Sequence, residues 1–388
     1  MQRSVMPEAP GGQPGRKRFQ FFSFGTGGID ATFLILVLLL LTIGLVMLFS
    51  ASYAVAYYQS GNSFYYISRQ LAFSAIGVVG MMVISTLNYK MLEKMVWPIM
   101  GLTVVLLIVV LFFQKRSRRW IDLGFITFQP SEIAKFALVI LFAHLINMLY
   151  DRMHTFRYGT VPFITILGVL AALLMAEPHL SGTMIILSLG AILMFVGGTN
   201  IKWFGLAGLG GGGALLGLVM IPGVISYAET RFQSWLHPEI DPRGASYQIN
   251  QSLYAIGSGG AMGQGVGASQ QKYLYLPEPQ NDYIFSIVCE ELGFVGSTLI
   301  IILFALLVWR GFVIAMHSRD RFGAIVAIGL TTQVGLQTIL NIMVVTNTIP
   351  STGISLPFFS YGGTALIMLL WEMGVVLSVS RQATMEKV

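Results

Sequence analysis

The stretch ATFLILVLLLLTIGLVMLFS, Ala31 through Ser50, carries no charged side chain. At a rise of about 1.5 Å per residue it matches the roughly 30 Å hydrocarbon core of a bilayer. A backbone in lipid must satisfy its own hydrogen bonds, so a continuous apolar run of this length reads as a helix and not as a barrel strand. Nine further apolar runs follow, at about 71–87, 95–113, 131–149, 162–176, 183–197, 203–227, 283–309, 323–346 and 362–380.

Hydrophobic residues make up 55% of the chain and charged residues 10%, against roughly 25% charged in a soluble domain. The expected fold is therefore an all-α integral membrane protein of about ten transmembrane helices, with one large extracellular loop at 229–282 between the seventh and eighth. One membrane domain at 31–381 is flanked by tails at 1–30 and 382–388. Arg16-Lys17-Arg18 make the first tail basic, and no small-residue cleavage site follows a short apolar core, so the first span is expected to be an uncleaved anchor. Cys289 is the only cysteine, which excludes an intramolecular disulfide.

The net charge of +6 acquires meaning from its placement. With the amino terminus in the cytoplasm, the inner loops and tails collect more Lys and Arg than the outer ones, as the positive-inside rule requires. Both termini are then cytoplasmic and the 229–282 loop is outside. One run opposes the rule: Lys115-Arg116-Ser117-Arg118-Arg119 falls on the outer side. A cationic cluster there suits an anionic group near the membrane surface, and Trp120 adds an amphipathic ring for the interface or a sugar face. The other reading is a solvated loop touching lipid phosphates.

The outer loop itself holds Arg231, Trp235, His237, Asp241, Arg243, Lys272 and Glu278, and ends at Asp282, directly before an apolar run. That places a carboxylate at the mouth of a membrane helix, where it serves either chemistry or the helix as a cap. In Gln129-Pro130-Ser131-Glu132-Ile133-Ala134-Lys135, Pro130 and Ser131 suit a helix start, and Glu132 and Lys135, three apart, share a face and can pair. Charges at membrane depth cost on the order of 3 kcal/mol each, so they face a partner or a cavity. Glu177-Pro178-His179 ends the fifth span outside, with both flanking side chains expected in water. Glu290 and Glu291 lie about two turns into the eighth span, and Glu372 lies within the tenth. The glycine-rich run 257–267 reads as a re-entrant or surface segment with tight turns, because no strand precedes it and it faces away from nucleotide pools. Cys and His show no metal-ligand spacing, and no nucleophile elbow accompanies a triad.

Taken together, Arg118-Arg119-Trp120-Ile121, Gln129 through Glu132 with Lys135, Leu276-Pro277-Glu278 through Phe285, Glu290-Glu291-Leu292-Gly293 and Ser355-Leu356-Pro357-Phe358-Phe359-Ser360-Tyr361-Gly362-Gly363 resemble the SEDS family of bacterial cell-wall polymerases. The resemblance covers about residues 30 to 381, with the motifs in the family's order. Pro277-Glu278-Pro279-Gln280 followed by Asp282 is more similar to the division and sporulation branch (FtsW, SpoVE) than to the elongation branch (RodA). Many relatives carry His-Thr where this chain has Gln280-Asn281, so these two residues inherit no role.

What the resemblance implies is peptidoglycan glycosyltransfer at the outer face of the bacterial cytoplasmic membrane. Lipid II would be joined into β-1,4 glycan strands, with a chain on undecaprenyl pyrophosphate as donor. The family's essential loop aspartate corresponds to Asp282, as acceptor base or as ligand of Mg²⁺ or Mn²⁺. Substrate contacts would come from Arg118, Arg119, Trp120, Glu132, Lys135, Arg231, Arg243, Lys272 and Glu278, with arginine favoured for gripping pyrophosphate. The implied partners are a single-span class B penicillin-binding protein and membrane lipid, with no organic cofactor and no nucleic acid. Two other classes are compatible with intramembrane charge: a flippase for lipid-linked precursors, and a division scaffold without catalysis. The short inner loops and the outward charge favour the polymerase.

Overall fold

A computed structural model describes residues 28–112, 120–122, 127–177, 179–205, 233–244 and 246–383. Ten labelled helices follow from it: α1 (Ala31–Ser60), α2 (Tyr65–Thr86), α3 (Lys90–Phe112), α4 (Pro130–Leu149), α5 (Val161–Ala176), α6 (Leu180–Val196), α7 (Tyr247–Ser258), α8 (Ile284–Met316), α9 (Arg321–Val345) and α10 (Gly363–Gln382). Eight helical segments among the described residues are long and apolar enough to cross a membrane, and α6, at 17 residues, is a shorter apolar helix. The expected seventh span, 203–227, lies outside the described residues beyond Gly205. The chain is thus an all-α multi-pass membrane protein, and the only strands among the described residues form one short ladder, Ile121–Asp122 against Thr127–Phe128.

Local chemistry sets the helix ends. The Asp30 carboxylate accepts from the Phe33 N–H at 2.8 Å and starts α1, and Gly61, at φ 69°, stops it by donating to the Tyr57 carbonyl. Pro130 occupies the first position of α4, where a missing N–H is harmless. Gln129 stands at the cap position there, so Ser131 is inside the helix and is not its cap. Asp30 also pairs with Arg310 near the end of α8 at 2.8 Å, and its N–H donates to the Ser380 hydroxyl. Lys90 at the start of α3 pairs at 2.8 Å with Asp320, the cap of α9. Burial alone would raise the Asp320 carboxyl, but Lys90, the Gly323 N–H and the Tyr89 hydroxyl together hold it below its ordinary range.

Helices α4, α9 and α10 form the enclosed centre, while α2 and α3 present most of their surface outward. Small residues permit the close approach of α2 to α10: a Cβ at Gly77 would fall 2.5 Å from Leu370, and one at Gly374 would fall 2.7 Å from the Met81 carbonyl.

The 229–282 segment is more ordered than a surface loop where it is described. Helix α7 lies on α8 and α9, with the Ser252 hydroxyl 2.7 Å from both Ser286 Oγ and the Val345 carbonyl. The glycine run beyond it inserts into a break in α8 at Gly293 (φ 69°, ψ −169°). The Gln264 and Gly265 N–H groups donate to the Glu290 and Glu291 carbonyls, and the Phe294 and Val295 N–H groups donate to the Gly260 and Ala261 carbonyls. Four backbone groups freed by the break are thereby satisfied from one segment, as a membrane-embedded break requires. Both sides need glycine: a Cβ at Gly263 (φ 78°) would sit 2.2 Å from the Glu291 carbonyl oxygen, and one at Gly293 would sit 2.2 Å from the Gly263 nitrogen.

Candidate active site

Two distant stretches are laced together at the outer end of α8. The Ser360 hydroxyl donates to the Asn281 carbonyl at 2.7 Å, the Tyr361 N–H donates to the Gln280 carbonyl at 2.8 Å, and the Asn341 amide of α9 donates to the Asp282 carbonyl at 2.8 Å. Asn341 reaches the Ile354 carbonyl as well, and Gln70 of α2 donates to the Ser360 carbonyl. The Ser355–Gly363 motif therefore serves as the frame on which the Asp282 backbone hangs. Tyr283, and not Asp282, occupies the cap position of α8.

Asp282 opens into a cavity of about 980 Å³ that also receives Trp120, Glu132 and Lys135. These residues come from three separate parts of the chain. The short ladder fixes Trp120 at the rim, and the Thr364 hydroxyl ties that ladder to α10 through the Thr127 carbonyl. The first turn of α4 supplies Glu132 and Lys135, paired at 2.7 Å with the lysine almost fully enclosed, as their three-residue spacing anticipates. Lower in the cavity, Gln333 of α9 faces inward and donates to the buried Glu372 of α10 at 2.9 Å.

Three further contributors lie outside the expected set of substrate contacts. Arg69 of α2 lines the cavity, with its guanidinium 4.2 Å from the centre of the Tyr65 ring. It also bonds the Tyr361 phenol; burial raises that phenol and Arg69 draws it partly back. His179 and Gln129 line the same wall, with the imidazole Nε2 3.4 Å from the Gln129 amide. His179 and Glu177 are both buried, contrary to the expectation that they sit in water, and His179 faces the cavity.

Other expected substrate contacts lie elsewhere. Lys272 is wholly buried, paired with Glu291 of α8 at 2.8 Å, and does not line the cavity. Glu278 is exposed outside the cavity lining; its carboxylate accepts from the Gln280 and Asn281 side-chain amides at 2.8 and 3.0 Å and braces the turn before Asp282. Arg243 is exposed and does not line the cavity. Arg118, Arg119 and Arg231 lie outside the described residues, although the first two directly precede Trp120.

Residues 30–385 match the protein family described as cell cycle protein, that of FtsW, RodA and SpoVE. Stage V sporulation protein E of Bacillus subtilis is 41% identical over 357 residues, covering 91% of this chain and 97% of that protein. A probable peptidoglycan glycosyltransferase FtsW of Trichlorobacter lovleyi is 36% identical, covering 90% of this chain and 93% of its own length. Among solved structures, a chain of a peptidoglycan synthase complex that coordinates polymerization and crosslinking aligns with a TM-score of 0.75 at 26% identity, covering 92% of this chain and 99% of that one. The rod shape determining protein RodA of Thermus thermophilus aligns with a TM-score of 0.67 at 25% identity, covering 92% and 98%.

Proposed function

This chain belongs to the FtsW, RodA and SpoVE family and is a peptidoglycan glycosyltransferase; we propose that it polymerises lipid II in the cavity beneath Asp282, at the outer face of the bacterial cytoplasmic membrane. The observation that carries this reading is the convergence of Asp282, Trp120, Arg69 and the Glu132–Lys135 pair on one cavity from four separate stretches. Its volume of about 980 Å³ is at the upper end of ligand-sized pockets, which suits a sugar bearing a pyrophosphate.

In the proposed reaction the 4-hydroxyl oxygen of the acceptor sugar bonds to the anomeric carbon of the donor as the bond from that carbon to the pyrophosphate oxygen breaks. Asp282 takes the hydroxyl proton, and undecaprenyl pyrophosphate departs with the electron pair. Attack from the face opposite the leaving group converts the α linkage into a β-1,4 bond. Arg69 supplies a forked donor to the departing charge, and Lys135 supplies a cation whose position Glu132 fixes. Trp120 offers a ring face to a sugar.

Among the described residues no cluster of three or more carboxylate, His or Cys side chains could cage a metal. Asp282 as a single carboxylate fits Mg²⁺ or Mn²⁺ only as a minority ligand, with substrate phosphate and water completing the shell. Bound in that way, such an ion would neutralise charge on the pyrophosphate.

The partner we propose is a single-span class B penicillin-binding protein, supported by the likeness to a chain of a synthase complex. The experiment is glycan-strand formation from lipid II by the purified chain with its transpeptidase, comparing wild type with Asp282→Asn at equal folding. Polymer from wild type and none from the variant is the expected result; equal polymer from both would remove Asp282 from the chemistry.

A further inference from the structure

We propose that the buried Lys272–Glu291 pair, clasped by Ser50 of α1, is a positioning device that fixes Asp282 over the cavity by holding the outer half of α8. The proposal rests on the reading of Asp282 as the group that receives the acceptor proton.

Only about three helical turns separate Asp282 from the break at Gly293. A helix that short has no independent stability, so its direction depends on what grips its two ends. The outer end is held through the Asn281 and Asp282 carbonyls. At the inner end the glycine stitch offers backbone bonds alone, and side chains supply the rest. Glu290 accepts from the Ser269 hydroxyl at 2.5 Å and from the Gln270 N–H at 2.9 Å. Glu291 accepts from Lys272 Nζ at 2.8 Å and from the Ser50 hydroxyl at 2.6 Å.

The ammonium donors of Lys272 are fully committed: besides Glu291 they reach the Gly267 carbonyl at 2.6 Å and Ser50 Oγ at 3.2 Å. Nothing remains for a substrate. Stability alone does not account for such a group, because a buried ion pair often contributes no more than well-packed apolar residues of the same volume. What the pair adds is a single register. Three elements, α1, the 267–272 segment and the outer half of α8, meet at one carboxylate, and a slip of any of them breaks a charge-assisted bond. An apolar contact would tolerate the slip. Reaction geometry does not, since a displacement of about 1 Å can reduce turnover about a hundredfold.

The test uses the full chain in vesicles with its transpeptidase partner and lipid II, measuring kcat and KM together with thermal melting. Lys272→Met combined with Glu291→Leu should melt like wild type and lose about tenfold or more in kcat, with KM for lipid II unchanged. Ser50→Ala, which leaves the ion pair in place and removes the Ser50 hydroxyl's bonds to both of its members, should lower kcat severalfold, again without a change in KM. Should the double variant fail to fold, Ser50→Ala decides alone. Wild-type kcat in a folded variant overturns the proposal, and so does a rise in KM alone, which would return Lys272 to substrate binding. Asp282→Asn is run in parallel: polymer from that variant overturns the underlying reading of Asp282, whereas its loss beside wild-type kcat in the other variants overturns the positioning role only.

Discussion

Lys135 shows what a single buried charge demands. Its ammonium is almost fully enclosed and bonded to Glu132 at 2.7 Å, so Glu132→Ala leaves it uncompensated. That change should cost about 3 kcal/mol of stability, read as a lower melting temperature in detergent; unaltered melting would show the pair to be dispensable. Arg69 makes the opposite kind of prediction, because it lines an open cavity and is steadied by Tyr65 and Tyr361. Arg69→Ala should raise KM for lipid II about tenfold with little effect on melting, consistent with loss of a charge-assisted hydrogen bond. At this scale the sequence exposes Asp282, Trp120 and the Glu132–Lys135 spacing, since each sits in an unusual local pattern. It misleads at Lys272, whose partner is nineteen positions away on another element, a pairing that one-dimensional spacing does not reveal. Arg69 looks like one outer charge among several, and the signal that marks it is a guanidinium one turn inside an apolar helix.

Among the elements, nine of the ten expected membrane runs appear as helices, because an uninterrupted apolar run has one stable solution in lipid. Their ends shift by several residues where a cap or an aromatic turn extends them past the apolar stretch, as α1 runs on to Ser60. The break in α8 is hidden in sequence, since Gly293 is only one of 43 glycines and its neighbours are ordinary helix residues. The glycine run 257–267 does announce tight turns, but not that they enter another helix. Gly263→Ala should therefore be far more harmful than Gly260→Ala. Both adopt left-handed backbone, yet a Cβ at Gly260 meets open space whereas one at Gly263 meets a carbonyl oxygen at 2.2 Å. The Gly260 change should cost about 1 kcal/mol and the Gly263 change several times that; equal melting of the two variants would mean that the stitch can relax.

For the whole molecule, the layering of charge implies an orientation. The Asp30–Arg310 and Lys90–Asp320 pairs gather at one end of the bundle, and the cavity with Asp282 opens at the other. If the paired end is cytoplasmic, a membrane-impermeant thiol reagent applied to intact cells should label Asn62→Cys and spare Arg319→Cys. The buried Cys289 leaves little background, and the reverse labelling pattern would invert the topology.

The interruption at Gly293 also bears on how the chain is made. As one rod the 33 residues of α8 would extend about 50 Å, well beyond the roughly 30 Å that lipid can cover. The stretch after Gly293 is sufficient by itself to cross, and the stretch before it carries both glutamates. The translocation machinery can thus release the latter part sideways into lipid while the earlier part stays with its already synthesised clasp, residues 259–272. Closure of the clasp on the break becomes a local event between neighbours in synthesis order, formed before Asn341 of α9 and the Ser355–Gly363 stretch arrive to fix Asp282 and complete the cavity.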